Sequence, residues 1–138
     1  MSLEVQDVIP QRYPFQMIDY FNEVTPGKSA SATKLLTINE WFFANQPQDN
    51  LVVPRPILIE AVAQTGVAAI LSMDEYAGKN VFFGGIRSAK FTDDFRPGDK
   101  LTMVVTLQKL KLNVGVGHGE IFREGQMIAE AELVFAIE

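Results

Sequence analysis

Between Ile57 and Ser72 the chain reads ILIEAVAQTGVAAILS, sixteen residues with no proline and one glycine, Gly66. Ala, Ile, Leu and Val fall on nearly every side of a 3.6-residue turn, so a helix here has no polar face to offer to water. Such a helix has to be surrounded. With 138 residues the chain holds one core and no second one, so the wrapping must come from its own flanks. The only charged residue in the segment is Glu60, and an amide, Gln64, follows one turn later. A carboxylate inside an apolar helix is costly unless it is hydrogen-bonded or put to use. Pro56 suits the first helical position, where a missing N–H costs little.

The flanks read mostly as strands. Leu3 to Ile9 suggests a helical turn stopped by Pro10. Phe15 to Val24 and Ser29 to Leu36 read as a hairpin around Thr25-Pro26-Gly27-Lys28. Trp41-Phe42-Phe43 forms a short aromatic segment, followed by an irregular polar stretch to Asn50. Beyond the helix and a polar link from Asp74 to Asn80, four strands are predicted: Val81–Phe91, Lys100–Leu112, Val114–Arg123 and Met127–Ile137. Glu124-Gly125 is a hairpin turn signal between the last two. Gly115, Gly117 and Gly119 alternate inside a strand and lack the strand-to-helix context of a phosphate loop, which makes them the small-residue face of that strand. The expectation is an α+β single domain over residues 1–138, with an antiparallel sheet curved around a central helix at about 57–72.

Composition excludes several functions. There is no cysteine and one histidine, His118, which argues against thiolate or histidine metal sites; no metal and no cofactor is expected. His118 itself reads as a surface or interface side chain. A net charge of −5 opposes non-specific nucleic-acid binding. No apolar run reaches membrane-spanning length, and the first residues lack the basic and apolar regions of a signal peptide, so a cytoplasmic location is expected.

Six short segments then match one family in order and spacing. Ile9-Pro10-Gln11-Arg12-Tyr13-Pro14-Phe15, Thr37-Ile38-Asn39-Glu40 with Phe42-Phe43, and Leu58-Ile59-Glu60-Ala61-Val62-Ala63-Gln64 come first. Phe83-Gly84-Gly85-Ile86 with Ala89-Lys90-Phe91, Pro97-Gly98-Asp99, and Ala129-Glu130-Ala131-Glu132-Leu133 follow. Together they resemble the FabZ-type (3R)-hydroxyacyl-acyl-carrier-protein dehydratases. The resemblance implies a hotdog fold and a homodimer or trimer of dimers. It also implies a hydro-lyase of fatty-acid or related acyl synthesis, acting on acyl thioesters carried by acyl carrier protein. In that family a histidine and a glutamate from opposite subunits remove water from the 3-hydroxyacyl thioester, and peptide N–H groups at the central helix N-terminus polarise its carbonyl.

Carried over by position, Glu60 matches the glutamate and Gln64 the glutamine one turn later, while Gln46 occupies the place of the histidine. Glutamine donates and accepts hydrogen bonds but relays no proton. Arg55 stands at the glycine before the helix and keeps one N–H for the carbonyl, while Pro56 removes the next. The Arg55 side chain has two readings, an anion ligand or a partner of Asp49. Tyr13, Phe82, Phe83, Gly84 and Ile86 match the acyl tunnel; of the carrier-docking patch Lys90 remains and Arg87 is gained, while Thr92 and Asp93 stand where basic residues are usual. Two other functions stay open beside dehydration. One is a thioesterase of the same fold using Glu60 to activate water. The other is a non-catalytic acyl-thioester-binding or partner subunit.

Overall fold

The structure is a computed structural model that describes residues 3–138; Met1 and Ser2 of the expected domain lie outside the described residues. A one-turn helix α1 (Val5–Val8) precedes the hairpin β1 (Tyr20–Thr25) and β2 (Ser29–Leu35). A 3₁₀ turn (Trp41–Phe43) and a loop lead into the helix α2 (Arg55–Leu71). After a second 3₁₀ turn (Asp74–Tyr76) come β3 (Val81–Phe91), β4 (Lys100–Lys111), β5 (Val114–Arg123) and β6 (Gln126–Ile137). All neighbours in the sheet are antiparallel, in the order β1-β2-β4-β5-β6-β3. The helix touches every one of the six strands, so the sheet curves around it as the apolar sequence requires.

The close approach of helix and sheet is made by glycine. A Cβ on Gly119 of β5 would collide with Val62, and one on Gly117 would lie 3.2 Å from Val105 and 3.3 Å from Phe135. From the helix side, a Cβ on Gly66 would come within 2.7 Å of the Phe135 ring. Gly119, with Gly115 beneath Ile70, is therefore the floor on which α2 rests, while Gly117 makes room for side chains of β4 and β6. At the far end of the helix, the Gly27 N–H of the β1–β2 turn donates to Ala69 O at 2.8 Å. That bond satisfies one of the four carbonyls a helix leaves unpaired at its C-terminus.

The starts of α2 and of the first strand differ from the sequence reading, and each has a cause. The helix starts at Arg55, with Pro54 as its N-cap, so Pro56 is the second helical residue and not the first. The first four N–H groups of a helix lack intrahelical acceptors, so proline is tolerated there too. The first strand begins at Tyr20, not Phe15. Phe15 O and the Met17 N–H are instead bonded to the Gln64 side chain, which removes them from any ladder.

Gly119→Ala forces a methyl into the Val62 contact and is expected to destabilise the fold by about 1–3 kcal/mol, the usual range for overpacking. Gly85, in β3, has nothing within 4 Å of its would-be Cβ, so Gly85→Ala is expected to stay within about 0.5 kcal/mol. Urea unfolding of both variants beside the parent chain measures the contrast.

Candidate active site

Glu60 sits half-buried on the second turn of α2, and one of its oxygens is already engaged. The Gln64 amide donates to Glu60 Oε1 at 2.9 Å and to Phe15 O at 2.8 Å, while the Met17 N–H donates to Gln64 Oε1 at 2.8 Å. Gln64 is 1% exposed. Both of its amide protons and its oxygen are thus used, which is what a buried amide needs. The amide orients the carboxylate and pins the 15–17 segment against the helix. Glu60 Oε2 takes no hydrogen bond among the described residues and is not enclosed. It is the free oxygen of the pair.

The segment that Gln64 grips is itself fixed. The Arg12 guanidinium donates to Ile9 O at 2.7 Å, Gln6 O at 2.8 Å and Gln11 O at 3.0 Å, and the Trp41 indole donates to Pro14 O at 3.0 Å. Tyr13 and Phe15, between these anchors, are 89% and 64% exposed. The other aromatic candidates lie on the terminal strand β3, where Phe82 and Ile86 are each 51% exposed and Phe83 is also exposed. Gly84 lies against Val134 O of β6, where a Cβ would come to 3.2 Å. Arg87 and Lys90 are exposed on the same strand.

At the start of α2 the donor count is small. The Ile57 N–H folds back to Pro54 O at 2.9 Å and Pro56 has none, so Arg55 keeps the open N–H. A helix N-terminus favours negative charge, which suits that N–H to a carbonyl gaining electron density. The Arg55 side chain lies over the Phe91 ring at 4.8 Å and pairs with Asp94 at 3.9 Å. It does not pair with Asp49 among the described residues, because the loop after β3 brings Asp94 to the helix start instead.

Gln46 is engaged elsewhere. Its amide donates to Phe42 O and Val52 O, each at 2.9 Å, and its Oε1 accepts the Val52 N–H at 2.9 Å. The side chain closes the 42–52 loop on itself and makes no hydrogen bond to Glu60 or Gln64. This slot asks for two donors and one acceptor, and a primary amide supplies both kinds at once. The structure therefore joins Glu60 with Gln64 and leaves Gln46 as the bracket of its own loop.

An ion-pair network that the sequence did not disclose holds the neighbouring loop. The Arg123 guanidinium donates to Asp93 at 2.6 Å, to Asp94 O at 2.7 Å and to Asp99 at 3.3 Å, and lies 5.4 Å from the centre of the Phe95 ring. Phe95 is fully buried, and its carbonyl receives the Val53 N–H at 2.9 Å. Arg96 donates to Asn50 at 2.9 Å. The loops before α2 and after β3 are thereby tied together. The hydrogen bond from Arg123, with a further one from the Asp94 N–H, holds the Asp93 carboxyl below its ordinary value of 3.8. The same bond raises Arg123. Asp93 and Arg123 lie thirty residues apart, and neither falls in a segment that advertises pairing.

His118 stands on β5 between two glycines that face α2, so it projects to the outer side of the sheet. There it lies 3.8 Å from Glu130 and 4.0 Å from Glu120. It is a partly exposed side chain on the face of the sheet turned away from the helix that carries Glu60.

A helix apolar all round, a six-stranded sheet curved about it, and a carboxylate held on the second turn define a hotdog protein with an acidic site. Residues 9–132 match the FabA-like domain. Relatives called 3-hydroxyacyl-[acyl-carrier-protein] dehydratase FabZ are 45% identical in Ligilactobacillus salivarius and 42% in Enterococcus faecalis, each over 97% of this chain and at least 95% of the relative. The dehydratase heterocomplex ApeI:P from Xenorhabdus doucetiae superposes with a TM-score of 0.85 at 17% identity, covering 100% of this chain and 93% of that one. A hypothetical thioesterase with coenzyme A from Streptococcus pneumoniae gives 0.67 at 11% identity, over 86% and 84% of the two chains. The chain belongs to the FabA-like family, among the FabZ-type hydro-lyases.

Two outcomes follow from the side-chain partners. Gln46→Ala removes the acceptor of the Val52 N–H, so that amide is expected to exchange its hydrogen faster while amides inside α2 keep their rates, read by hydrogen-exchange NMR. Asp93 has a folded value lowered below 3.8, so its pairing with Arg123 stabilises the fold above 3.8 and is lost as pH falls through the folded value. The stability difference between the parent chain and Asp93→Asn should be constant near neutrality and vanish in acid, followed by urea unfolding across pH.

Proposed function

We propose that this chain dehydrates 3-hydroxyacyl thioesters and that Glu60 is the side chain that moves the protons. The observation that carries this reading is the division of labour on its carboxylate, with Oε1 fixed by Gln64 and Oε2 open. The Arg55 N–H is the donor for the thioester carbonyl. Arg55 and Glu60 are five residues apart, about 7.5 Å along the helix axis. Helical side chains lean toward the N-terminus, which brings the Glu60 carboxylate back toward that donor. A substrate whose carbonyl rests on Arg55 then presents its second and third carbons to Oε2.

The reaction breaks the Cα–H bond, and the proton goes to the carboxylate. Electron density moves onto the carbonyl oxygen, where the N–H and the helix terminus stabilise it. The Cβ–O bond then breaks, the double bond forms, and the departing hydroxyl leaves as water with the proton that Glu60 received. Gln64 holds the carboxylate in line and exchanges no proton. Gln46 acts by shaping the loop.

Exposed Tyr13, Phe82, Phe83 and Ile86 offer an apolar path for the acyl chain once a second subunit covers them. The open edge of β3 supports that assembly, since an exposed apolar edge strand invites pairing. Arg87 and Lys90 offer positive charge to an acidic carrier protein, and the protein works in the cytoplasm.

Crotonyl thioester hydration, the reverse reaction, tests the proposal. The purified chain is expected to hydrate it above the buffer rate, and Glu60→Gln, with its melting temperature as a folding control, is expected to remove that activity by about 100-fold or more. Release of free thiol in place of hydration assigns Glu60 to thioester hydrolysis instead.

A further inference from the structure

We infer that the outer face of the sheet carries a site for a divalent transition-metal ion of the zinc type, held by His118 and Glu120 of β5 and Glu130 of β6. The donor atoms of these three side chains all lie within 4.8 Å of one another. Alternation along β5 sets His118 and Glu120 on the same face. The antiparallel register then puts Glu130 directly opposite Glu120, and Glu132 directly opposite His118. A lone histidine makes a poor metal site by composition, yet strand pairing brings the other donors to it from a different part of the chain.

The distances fit a bridging ion better than a direct contact. His118 Nε2 lies 3.8 Å from Glu130 Oε2 and 4.0 Å from Glu120 Oε2. A charge-assisted hydrogen bond would close to about 2.7–2.9 Å, well inside both separations. Ligands about 2.0–2.2 Å from a tetrahedral zinc ion stand about 3.4 Å from each other. Small side-chain rotations therefore complete the set. At 31%, 33% and 37% exposed, the three side chains are free enough to make those rotations and open enough to take an ion from solution.

The charge pattern points the same way. Like charges directly opposite on paired strands are destabilising. Here Glu120 faces Glu130, and Glu132 follows on the same face of β6. Lys90 of β3 is in register with Glu130 but makes no ion pair with it among the described residues. On the other side, the β4 partners of Glu120 and His118 are Val104 and Thr106, which bring no charge. A divalent ion between the two glutamates removes the repulsion and ties β5 to β6. Ser88, Lys90, His118, Glu130 and Glu132 line a cavity at this place that opens to solvent.

One nitrogen and two oxygens select among metals. Magnesium and calcium take oxygen ligands, whereas imidazole suits zinc and its first-row neighbours. Three protein ligands leave a fourth position to water. His118 alternates with Gly117 and Gly119, whose missing side chains face Val62, Val105 and Phe135, so the ion sits across the sheet from α2 and Glu60. Its role is to fasten the sheet, and it takes no part in the dehydration proposed above.

The test uses the full chain with any affinity tag removed and zinc as the probe. Titration calorimetry is expected to show one ion bound per chain, with a dissociation constant in the micromolar range. An ion that binds the folded chain raises its melting temperature, so a rise of several degrees is expected, reversed by EDTA. Because His118 is the only histidine, the imidazole NMR signals report this site alone and are expected to shift with zinc. Loss of a group that merely supports a metal ligand costs about 10- to 100-fold in affinity, so His118→Ala and Glu130→Gln are each expected to weaken binding by about 100-fold. Glu75→Gln, an exposed carboxylate elsewhere, is expected to leave binding unchanged. Melting temperatures in EDTA check that the variants fold. The inference is overturned if binding does not saturate below millimolar zinc, if the imidazole signals do not move, or if either cluster variant binds as the parent chain does.

Discussion

The arrangement depends on one packing constraint, a seventeen-residue helix that must be buried on every side. An ordinary sheet packs about 10 Å from what it covers, with side chains between. Here glycine makes the room: Gly119 leaves the space that Val62 of α2 fills, Gly115 lies under Ile70, and Gly66 yields to the Phe135 ring. The rest of the sheet curves to follow the helix round, and the β1–β2 turn closes its far end through Gly27 and Ala69. With that much of the helix sealed, the polar residues on it are held in fixed positions. Glu60 is held through Oε1 by the buried Gln64 amide.

Much of this was legible because glycine, proline and apolar spacing are local signals. The four long strands were readable to within a residue at each end, since turn residues bracket them and their inward positions alternate. The start of α2 was not, because Pro54-Arg55-Pro56 offers two prolines either of which can open a helix. The stretch from Phe15 to Asp19 looked like strand for a sound reason, its aromatic and β-branched content. What overrode that propensity was one amide 47 residues away, as Gln64 took the backbone groups a ladder would have used. Pairings of that range leave no trace in spacing. The same holds for Arg55 with Asp94 and for Arg123 with Asp93.

Hydrogen-bond accounting separates the two glutamines that the resemblance brought into one candidate site. Gln64 spends its capacity on Glu60 and on the 15–17 segment, so it couples the carboxylate to the exposed aromatic loop containing Tyr13 and Phe15. Gln46 spends its capacity on Phe42 and Val52. That loop is joined through Val53 and Asn50 to the Phe95–Arg96 segment and from there to Arg123 on β5. The result is a rigid surround for the helix start. For the proposed reaction this matters, because a carbonyl donor and a proton-moving group help only when their spacing is fixed before the substrate arrives.

Glu60 is the residue in this frame that packing does not explain. Gln64 uses only one of the two Glu60 carboxylate oxygens. Half-burying a charge is unfavourable, and a single hydrogen bond from an amide offsets only part of that cost. A structural carboxylate in such a place would be expected to find partners for both oxygens. This one holds one oxygen still and leaves the other uncovered, at the end of the helix where negative charge on a bound carbonyl is favoured. In the reaction proposed for this site, that open oxygen is the one that carries the proton. The remaining polar groups near the helix start are hydrogen-bonded or ion-paired elsewhere, as with Gln46 and Arg55, so the proposed chemistry of the site narrows to Glu60.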